Sequence, residues 1–377
     1  MPKRKPQSVD AETLRAWQDK GIESGVLEAR LEYTEIEGRS RYARGMVGRT
    51  RVYPSMLPTQ ASGRWSTTNP PLVNFPAHDE AACPRCKGVI TGEYEPHYLR
   101  EIGGDETWCP RSVREVIIPD RGWWWLHYDE DGVEARLNAA LSGDQKELEA
   151  FDNRWDVHTL TACAIFGMDR PPLLTKAIHT SDDPSAVAWR LKYNWGGDQD
   201  RRRHVSKTIR YALQYALDEK GALNSNELYK LGLKREDIMK FGRQYLRSKP
   251  EMVSTKRKVW DEAIRTNVAY TFLGRRRRLF GEAKDKMKQA WSHRVSGSNS
   301  DMMNSNIIML QKEFPESHLV LNSHDGEIIA FPVSTKPGDA LARAKPIVER
   351  TWDVDGYKMV VPGSWEWVDD EGVNHRF

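Results

Sequence analysis

The sequence predicts an α+β protein, and three stretches carry that prediction. Residues 150–290 have a mostly helical pattern of apolar positions. Residues 121–129 form a short apolar and aromatic run with a glycine near its start, which is typical of a buried strand. Residues 318–331 contain two apolar runs around a polar turn, and this pattern indicates a β-hairpin.

Shorter elements complete the pattern in chain order. Helices are predicted at residues 11–20 and 26–36, ahead of a turn-rich segment. A further helix is predicted over residues 134–141, because a Ser-Gly pair follows as a stop signal. A last helix is predicted over residues 339–350, before a tail rich in tryptophan.

The composition excludes several classes of protein. Of the 377 residues, 39% are hydrophobic and 29% charged, and 14 Trp, 13 Tyr and 9 Phe exclude a disordered or collagenous chain. The four Cys do not resemble a secreted disulfide framework. No apolar run approaches the ~20 residues that span a bilayer, and no apolar segment follows the basic N-terminus. We therefore expect a folded protein that stays in the cytoplasm and has no membrane partner.

The overall charge does not indicate nucleic-acid binding, so any such signal must come from local clusters of basic residues. Lys and Arg total 57 against 54 Asp and Glu, and a net charge of +3 does not mark an obvious nucleic-acid binder. Two basic clusters stand out, one at Arg201–Arg203 with Lys207 and one at Arg275–Arg278. On composition alone, a solvated helix face or loop explains such runs, so their position relative to other motifs has to decide.

Two aspartates lie where strands hold side chains rigidly. Asp129 ends the first predicted strand, and Asp325 lies at the tip of the predicted hairpin. Two carboxylates that a sheet brings together can hold a pair of Mg²⁺ ions, because water and phosphate oxygens supply most other ligands. From spacing alone, the alternative that both are ordinary turn residues stays open.

A helical stripe near the middle of the chain combines cations with aromatic rings. Four residues recur at every fourth position, and these are Arg203, Lys207, Tyr211 and Tyr215. This spacing places them on one helix face. Such a stripe suits a nucleoside triphosphate, since the cations can meet the phosphates and the rings the sugar and base. The alternative is an aromatic pair that faces the core beneath a solvated basic turn.

Six stretches of the sequence fall into one ordered pattern. Residues 129–144 read DEDGVEARLNAALSGD, residues 203–215 read RHVSKTIRYALQY, and residues 323–327 read SHDGE. They resemble the motifs DYSQIELRxxAHLSGD, RxxxKxxxFGxxYG and VHDE of family A DNA polymerases, the bacterial polymerase I and phage replicative group. Further stretches match in family order, and these lie at residues 62–76, 156–162 and 271–277. One such match alone is weak, but all six in order are very specific.

The resemblance implies a right-hand polymerase fold with an antiparallel palm sheet, helical fingers and a partial helical thumb. Residues 1–60 would be the C-terminal remnant of the thumb. Residues 61–148 would be the first part of the palm, with a Cys-containing insertion at about residues 77–112. Residues 149–290 would form the fingers, and residues 291–377 the second part of the palm with the hairpin and the C-terminal tail.

The resemblance further implies template-directed addition of dNTPs to a primer 3′ end by two-metal-ion nucleotidyl transfer. Asp129 and Asp325 would hold the two Mg²⁺ ions, and Lys207 would protonate the leaving group. Glu327 is the remaining catalytic candidate. It stands one place later than the acidic residue of the family, whose position Gly326 occupies in this chain. Because neighbouring strand residues point to opposite faces, the strand register decides whether Glu327 faces the metals.

The nucleotide site of the family maps onto six residues of this chain, and these are Arg203, Lys207, Tyr211, Tyr215, Glu134 and His158. Arg203 and Lys207 would bind the triphosphate. Glu134 matches a steric gate that rejects a ribose 2′-OH and favours DNA synthesis. Tyr211 stands where many members have Phe, which predicts ready use of dideoxynucleotides. His158 has a structural alternative, a hydrogen bond where the fingers begin.

The expected DNA-binding residues are Arg64, Asn74, Arg275, Arg276, Arg277 and His324. Arg64 matches a family arginine that contacts the minor groove near the primer terminus. The arginine run matches a family element near the template strand, where it would contact phosphates. Ser296 replaces the family glutamine that reads the minor groove, so fidelity or primer grip is expected to differ. Primer–template DNA and dNTPs are thus the expected partners.

The first residues resemble a segment midway through the thumb, so we expect no proofreading exonuclease in this chain. The expected further partner is a separate N-terminal polypeptide that supplies the rest of the thumb; a truncated sequence is the alternative. Thumb contacts to the phosphate backbone supply much of the affinity for duplex DNA. Low processivity of this chain alone is therefore expected.

A cysteine cluster interrupts the predicted palm. Cys83-Pro-Arg-Cys86 is a typical zinc-knuckle turn. Cys109 with His97, or else His78, would complete a tetrahedral Zn²⁺ site. The alternative, a degenerate knuckle with reduced thiols and no metal, is nearly as well supported by the sequence.

Two other functions stay open from the sequence. One is a catalytically impaired, DNA-binding accessory subunit that keeps the fold, against which the intact Asp129, Asp325 and Lys207 argue. The other is a single-subunit RNA polymerase of related architecture, which Glu134 and Tyr211 disfavour. A comparison of dNTP with rNTP use separates this second alternative from a DNA polymerase.

Overall fold

The computed structural model describes residues 51–57, 62–68, 72, 117–216, 218–323 and 325–377. The chain divides into two compact units. The first comprises residues 1–59, 65–125 and 368–375, and the second residues 60–64, 126–367 and 376–377. All candidate site residues that the structure describes belong to the second unit.

The described helices and strands alternate along the chain without a repeating unit. In chain order they are β1 (Ser55–Leu57), β2 (Ser66–Thr68), β3 (Trp123–Glu130), α1 (Val133–Ser142), α2 (Gln145–Asp152), α3 (Val157–Phe166), α4 (Pro184–Tyr193), α5 (Arg201–Gln214), α6 (Asn226–Lys230), α7 (Arg235–Arg247), α8 (Pro250–Thr266), β4 (Val268–Tyr270), β5 (Arg276–Arg278), α9 (Ala283–Ser292), α10 (Ser298–Glu313), β6 (His318–Ser323), β7 (Gly326–Pro332), α11 (Pro337–Val348), β8 (Trp352–Val354), β9 (Tyr357–Met359), β10 (Gly363–Val368) and β11 (Asn374–Arg376). A π-helical turn, His293–Gly297, joins α9 to α10.

The strands form one five-stranded sheet and three two-stranded ribbons. The order across the large sheet is β11-β10-β3-β7-β6. β6 and β7 pair antiparallel with Ser323 opposite Gly326, which makes the hairpin that the sequence predicts. Along β3, Trp124, Leu126 and Tyr128 are buried at every second position, as expected for a strand with one face on the core. The ribbons are β1-β2, β4-β5 and β8-β9.

Two of the apolar clusters of the second unit contain the helices that border the site. One lies among α1, α9 and α10 and contains Leu137, Trp291 and Met302. The other lies among α3, α5 and α7 and contains Ile165 and Ile209. Each fully buried side chain of this size contributes roughly 1.5–3 kcal/mol to folding, so these clusters fix α1 and α5, the two helices that border the site.

Local signals explain why α5 forms and where it is anchored. The Asp200 side chain accepts a hydrogen bond from the Arg202 amide and caps the N-terminus of the helix. Val205, Ile209 and Leu213 recur at every fourth position and are buried, so the opposite face remains open. At the other end, the buried Lys256 ammonium donates to the Leu213 carbonyl oxygen at 2.9 Å. A lysine near a helix C-terminus also complements the helix dipole.

The predicted α+β class is confirmed, and the segments at β3, α1 and the β6-β7 hairpin form the elements that the sequence predicts. Residues 268–278 differ, because they form the β4-β5 ribbon inside a stretch of mostly helical pattern. Asn267 in the left-handed conformation ends α8, and Gly274 with φ +86° allows the turn of the ribbon. The predicted helices at 11–20 and 26–36 lie outside the described residues, and the boundaries of thumb, palm and fingers stay predictions.

No helix within the described ranges is both long enough and apolar enough to cross a bilayer.

Candidate active site

The sheet brings together the two aspartates that the sequence singles out. Asp129 lies near the end of β3, and Asp325 immediately precedes β7. The amide of Glu130 donates to the carbonyl oxygen of Asp325 at 2.7 Å, which sets the two residues side by side on neighbouring strands. Asp129 is exposed and Asp325 is partly exposed, so both carboxylates can be reached from solvent.

Gly326 allows a close approach of β7 to Asp129. A Cβ atom at this position would lie 2.7 Å from the Tyr128 carbonyl oxygen and 3.0 Å from Asp129 Oδ1. A side chain there would therefore clash with the backbone of β3. The acidic residue of the family motif does not fit at position 326 with this strand spacing.

The donor set at this place fits Mg²⁺. Magnesium commonly takes one or two carboxylates and fills its octahedron with water and substrate phosphates, and Asp129 and Asp325 supply two such carboxylates. Across the described ranges, no cluster of three or more His, Cys, Asp or Glu side chains could hold a metal ion by itself. Phosphate and water oxygens would therefore complete the coordination.

Glu327 does not share this open position, and its predicted catalytic role stays a prediction. Its side chain is 0% exposed, and burial raises its pKa to about 8, so the carboxyl is mostly protonated at neutral pH. Glu130 is also buried, and burial raises its pKa to about 8 despite the hydrogen bond from Asn306 Nδ2 at 3.1 Å. For Glu130 the physical reason is strand alternation, which turns its side chain to the face opposite the exposed Asp129.

Arg203 is buried and paired within the protein, and its predicted contact with the triphosphate stays a prediction. Its guanidinium binds Asp156 in two places, with Nε 2.9 Å from Oδ2 and Nη2 3.2 Å from Oδ1. Asp156 also caps α3 and binds His179 Nε2 at 2.8 Å. Burial acts to raise the pKa of Asp156, but His179 and Arg203 outweigh burial and hold it well below its usual range. Arg203 therefore positions α5 against α3.

Lys207 and Tyr211 occupy the open face of α5. Lys207 is exposed and makes no hydrogen bond or ion pair with any residue that the structure describes. Tyr211 is 54% exposed, and Asp131 and Asp325 are close enough to contribute to the raised pKa of its hydroxyl, for which burial is the main cause. The middle of the predicted stripe thus faces the aspartates.

His158 lies beside this face as a neutral ring. Its centroid is 6.2 Å from that of Tyr211. Burial, followed by the charges of Arg210 and Arg203, lowers the pKa of His158 to about 3. At neutral pH the imidazole therefore adds a hydrogen-bonding group and no charge to the site.

Tyr215 and Arg64 hold Glu134 in a fixed position. The Tyr215 hydroxyl donates to Glu134 Oε2 at 2.6 Å and lies 2.9 Å from Ser296 Oγ. Arg64 Nη2 binds the other carboxylate oxygen of Glu134. Tyr215 therefore orients the predicted steric gate, instead of offering its ring as an open surface for the base. Ser296 takes part in the same network.

The arginines of the β4-β5 ribbon point in two directions. Arg275 binds Asp301 and donates to the carbonyl oxygens of Ser62 and Gly297, so its guanidinium makes contacts within the protein, and its predicted DNA contact stays a prediction. Arg277 is half-buried, whereas Arg276 and Arg278 are exposed. Because neighbouring strand residues point to opposite faces, Arg276 and Arg278 face away from the partly buried Arg275 and Arg277.

A cleft of about 1050 Å³ lies beside α5. Lys207, Tyr211 and His158 line it, and so do two exposed cations outside the predicted set, Arg154 and Lys176. Neither residue belongs to a motif, so no sequence signal marks them. The open cations and the aromatic ring give the cleft the chemistry for a polyphosphate joined to a planar base.

A mostly buried ionic network in the lining of the cleft was also missed. Arg210 and Lys249 both bind the carboxylate of Glu147, and Lys249 Nζ lies 2.9 Å from Asp144 Oδ2. Burial acts to raise the pKa of Glu147, but Arg210 and Lys249 outweigh it and hold the pKa at about 2. The partners are far apart in the sequence, so only the fold reveals them.

Several predicted site residues lie outside the described part of the chain. They are Asn74 and His324 of the DNA-binding set and Cys83, Cys86, His97 and Cys109 of the zinc set. Their roles stay predictions.

The sequence matches the profile of DNA polymerase family A over residues 2–362. Among curated relatives, the thermostable DNA polymerase I of Thermus filiformis is 24% identical over 342 residues, which cover 87% of this chain and 33% of the relative. DNA polymerase I of Lactococcus lactis subsp. lactis is 23% identical over 359 residues, which cover 90% of this chain and 33% of the relative. The chain thus spans about a third of the length of these relatives.

Among solved structures, the fold is similar to the POL domain of Pol1 from M. smegmatis in complex with DNA primer-template and dNTP. The TM-score is 0.66 at 18% identity, and the match covers 95% of this chain and 55% of that chain. This similarity confirms the predicted polymerase fold. Because the family profile extends over nearly the whole sequence, the chain belongs to DNA polymerase family A.

Proposed function

We propose that this chain is a template-directed DNA polymerase that adds dNTPs to a primer 3′ end. The observation that carries the proposal is the placement of Asp129 beside Asp325, within electrostatic reach of the open face of α5. The relatives named DNA polymerase I support it, as does a structural neighbour bound to primer-template DNA and dNTP.

Asp129 and Asp325 are the proposed Mg²⁺ ligands, in keeping with the general use of divalent metal ions in family A. When bound, such ions activate the primer hydroxyl and stabilise the charge on the leaving pyrophosphate. The protein contributes the two carboxylates, and Gly326 allows the close approach of the strands that carry them. The neutral Glu327 behind the strands adds no further negative charge at neutral pH.

Lys207 is the proposed triphosphate ligand on α5, because its exposed ammonium has no competing partner among the described residues. It can also deliver a proton to the leaving pyrophosphate. Tyr211 lies one helical turn beyond Lys207 on α5, where it would contact the sugar of the incoming nucleotide. Glu134, fixed by Arg64 and Tyr215, would exclude a ribose 2′-OH at the same sugar.

Primer–template DNA is the second proposed substrate. Arg276 is the exposed member of the predicted arginine set, so it is the residue of that set best placed for a phosphate contact. The separate N-terminal polypeptide, the zinc site and the cytoplasmic location stay predictions.

Primer extension on a primed template with Mg²⁺ and dNTPs tests the proposal. Asp129→Ala and Asp325→Ala are expected to abolish extension, whereas Asp261→Ala, which removes an exposed carboxylate of α8, is expected to leave it unchanged. Retained DNA binding in the two inactive variants would place the defect in the chemistry.

Extension by either aspartate variant at the wild-type rate would overturn the proposed metal ligands. If the wild-type protein binds primer–template DNA but does not extend it, the polymerase function is wrong and an accessory role becomes the better explanation. Extension with rNTPs at the rate seen with dNTPs would contradict the role of Glu134.

A further inference from the structure

The C-terminal end of α5 is held by side chains from two other helices. Lys256 of α8 donates from Nζ to the carbonyl oxygen of Leu213 at 2.9 Å and to that of Ala216 at 3.4 Å. Trp291 of α9 donates from Nε1 to the carbonyl oxygen of Gln214 at 3.0 Å. Because the last carbonyl groups of a helix have no partner within it, these contacts satisfy groups that α5 itself leaves open.

Lys256 occupies a position where an apolar side chain would be expected. It is 2% exposed, and its Nζ lies 5.7 Å from the ring centre of the fully buried Trp291. No carboxylate in the described part of the chain pairs with it, and burial lowers its pKa to about 7. An ammonium buried without a carboxylate costs free energy. What the lysine provides in this place is a fixed position for the end of α5.

The anchored segment carries Tyr215, which reaches the predicted steric gate. This residue lies between Gln214 and Ala216, whose carbonyl groups are both anchored. Its hydroxyl donates to Glu134 Oε2 at 2.6 Å and accepts from Gln214 Nε2 at 3.3 Å. A displacement of the end of α5 would move the hydroxyl away from Glu134 and leave Arg64 as the remaining described partner of that carboxylate.

We propose that Lys256 and Trp291 are positioning residues for the discrimination between dNTPs and rNTPs. They act through Tyr215, which holds Glu134 where a ribose 2′-OH would lie. Neither Lys256 nor Trp291 lines the cleft, so neither would touch the nucleotide itself. The inference rests on the proposed function, because it concerns the sugar of the nucleotide that a polymerase would add.

The test is the insertion of a single dNTP or rNTP by the full chain on a primed template, with kcat/KM determined for each nucleotide. Lys256→Met is expected to lower the ratio of kcat/KM for dNTP over rNTP about fivefold, the size of effect that the loss of one hydrogen-bonded contact produces. Trp291→Phe removes the indole N–H and is expected to lower the ratio to a similar degree. Insertion of dNTP is expected to stay within about threefold of the wild type in both variants.

Two matched controls remove the same chemical groups from other places. Lys258→Met removes an exposed lysine from α8. Trp189→Phe removes an indole N–H of α4 that donates to the Asp169 carbonyl oxygen at 3.0 Å. Both controls are expected to keep the ratio within about 1.5-fold of the wild type. Thermal unfolding shows whether each variant is folded, and Lys256→Met alone decides the test if Trp291→Phe does not fold.

A double-mutant cycle separates positioning from a general structural role. If Lys256 acts through Glu134, Lys256→Met should lower the ratio no further in a Glu134→Ala background. An equal fall of the ratio with and without Glu134 would overturn the inference, because the effect would then bypass the carboxylate. A wild-type ratio in Lys256→Met would also overturn it and would leave the polymerase function intact. Failure of the wild type to insert any dNTP would instead overturn the proposed function and the inference together.

Discussion

The buried carboxyl groups of two regions differ in charge, because they are ionised in one region and neutral in the other. Around α3 and α5, Asp156 and Glu147 are ionised, and the pKa of Glu147 is held at about 2 by Arg210 and Lys249 against the effect of burial. In β3 and β7, burial raises the pKa of Glu130 and of Glu327 to about 8, so both are mostly protonated at neutral pH.

The supply of cations explains the difference. The acids of the helical region pair with Arg203 and Arg210 of α5 and with Lys249, which follows α7. The strand region has Arg350 nearby, but this guanidinium donates to Asn306 and lies 3.8 Å from the Trp352 ring centre. Without a close cation, a buried acid keeps its proton.

Buried acids therefore have different roles beside α5 and beside the strands that carry Asp129 and Asp325. Ion pairs between distant helices fix the position of α5, whose open face carries Lys207 and Tyr211. Neutral acids behind the strands fill space without adding charge next to Asp129 and Asp325. Substitutions and pH series test this division, beginning with the largest expected effect.

Glu147→Gln should destabilise the protein by roughly 3–5 kcal/mol, because it leaves Arg210 and Lys249 buried beside a neutral partner. Urea-induced unfolding measures the change. Glu149→Gln on the same helix is the matched control, since its side chain is exposed, and a change within about 0.5 kcal/mol is expected. If the two substitutions changed the free energy of unfolding equally, the ion pairs of Glu147 would not stabilise the protein.

Acid should destabilise the helical region through the same carboxylate. The folded pKa of Glu147 is about 2, below its ordinary value of 4.5, so the unfolded chain binds more protons between these values. The stabilisation is present above pH 4.5 and is lost as the pH falls towards 2, by about 3 kcal/mol in total. Unfolding measured against pH should show this loss in the wild type and a shallower one in Glu147→Gln.

Lys256 is a buried cation without a carboxylate, and it should respond to pH in its own range. Burial lowers its pKa to about 7 from 10.5, so the unfolded chain binds more protons between these values and stability rises with pH. The free energy of unfolding should increase by about 2 kcal/mol between pH 7 and pH 9, relative to Lys256→Met. Parallel curves for the two proteins would mean that the ammonium is solvated.

Glu327→Gln should have the smallest effect. An amide closely matches a protonated carboxyl in shape, so the stability should change by less than about 1 kcal/mol, and primer extension should stay within about threefold. Urea-induced unfolding and extension rates provide the measurement. A loss of extension as severe as that expected for Asp129→Ala would support the catalytic role that the sequence predicts.

Patterns with a short period could be predicted from the sequence. The aromatic run at β3, the two apolar runs of the hairpin and the four-residue spacing of α5 each depend on local periodicity, and all three elements form. The approach of Asp129 to Asp325 was also expected, because a strand end and a hairpin tip can meet in one sheet.

Tertiary partners could not be predicted in this way. The sequence predicts a triphosphate contact for Arg203 but gives no sign of its ion pair with Asp156, which lies 47 residues away in the sequence. The ionic partners of Glu147 are still farther along the chain, at separations of 63 and 102 residues. The directions of the ribbon arginines could have been found from strand alternation, but the helical pattern around residues 268–278 concealed the strands.

Gly326 has a consequence for the engineering of this protein. The backbone of β7 passes so close to the Tyr128 carbonyl oxygen and the Asp129 carboxylate that even a methyl group has no room. An acidic residue transplanted from a relative into this position would push apart the strands that carry both aspartates. Chimeras that exchange β3 and β7 together are the workable route, because the local spacing of the two strands is inherited as a pair.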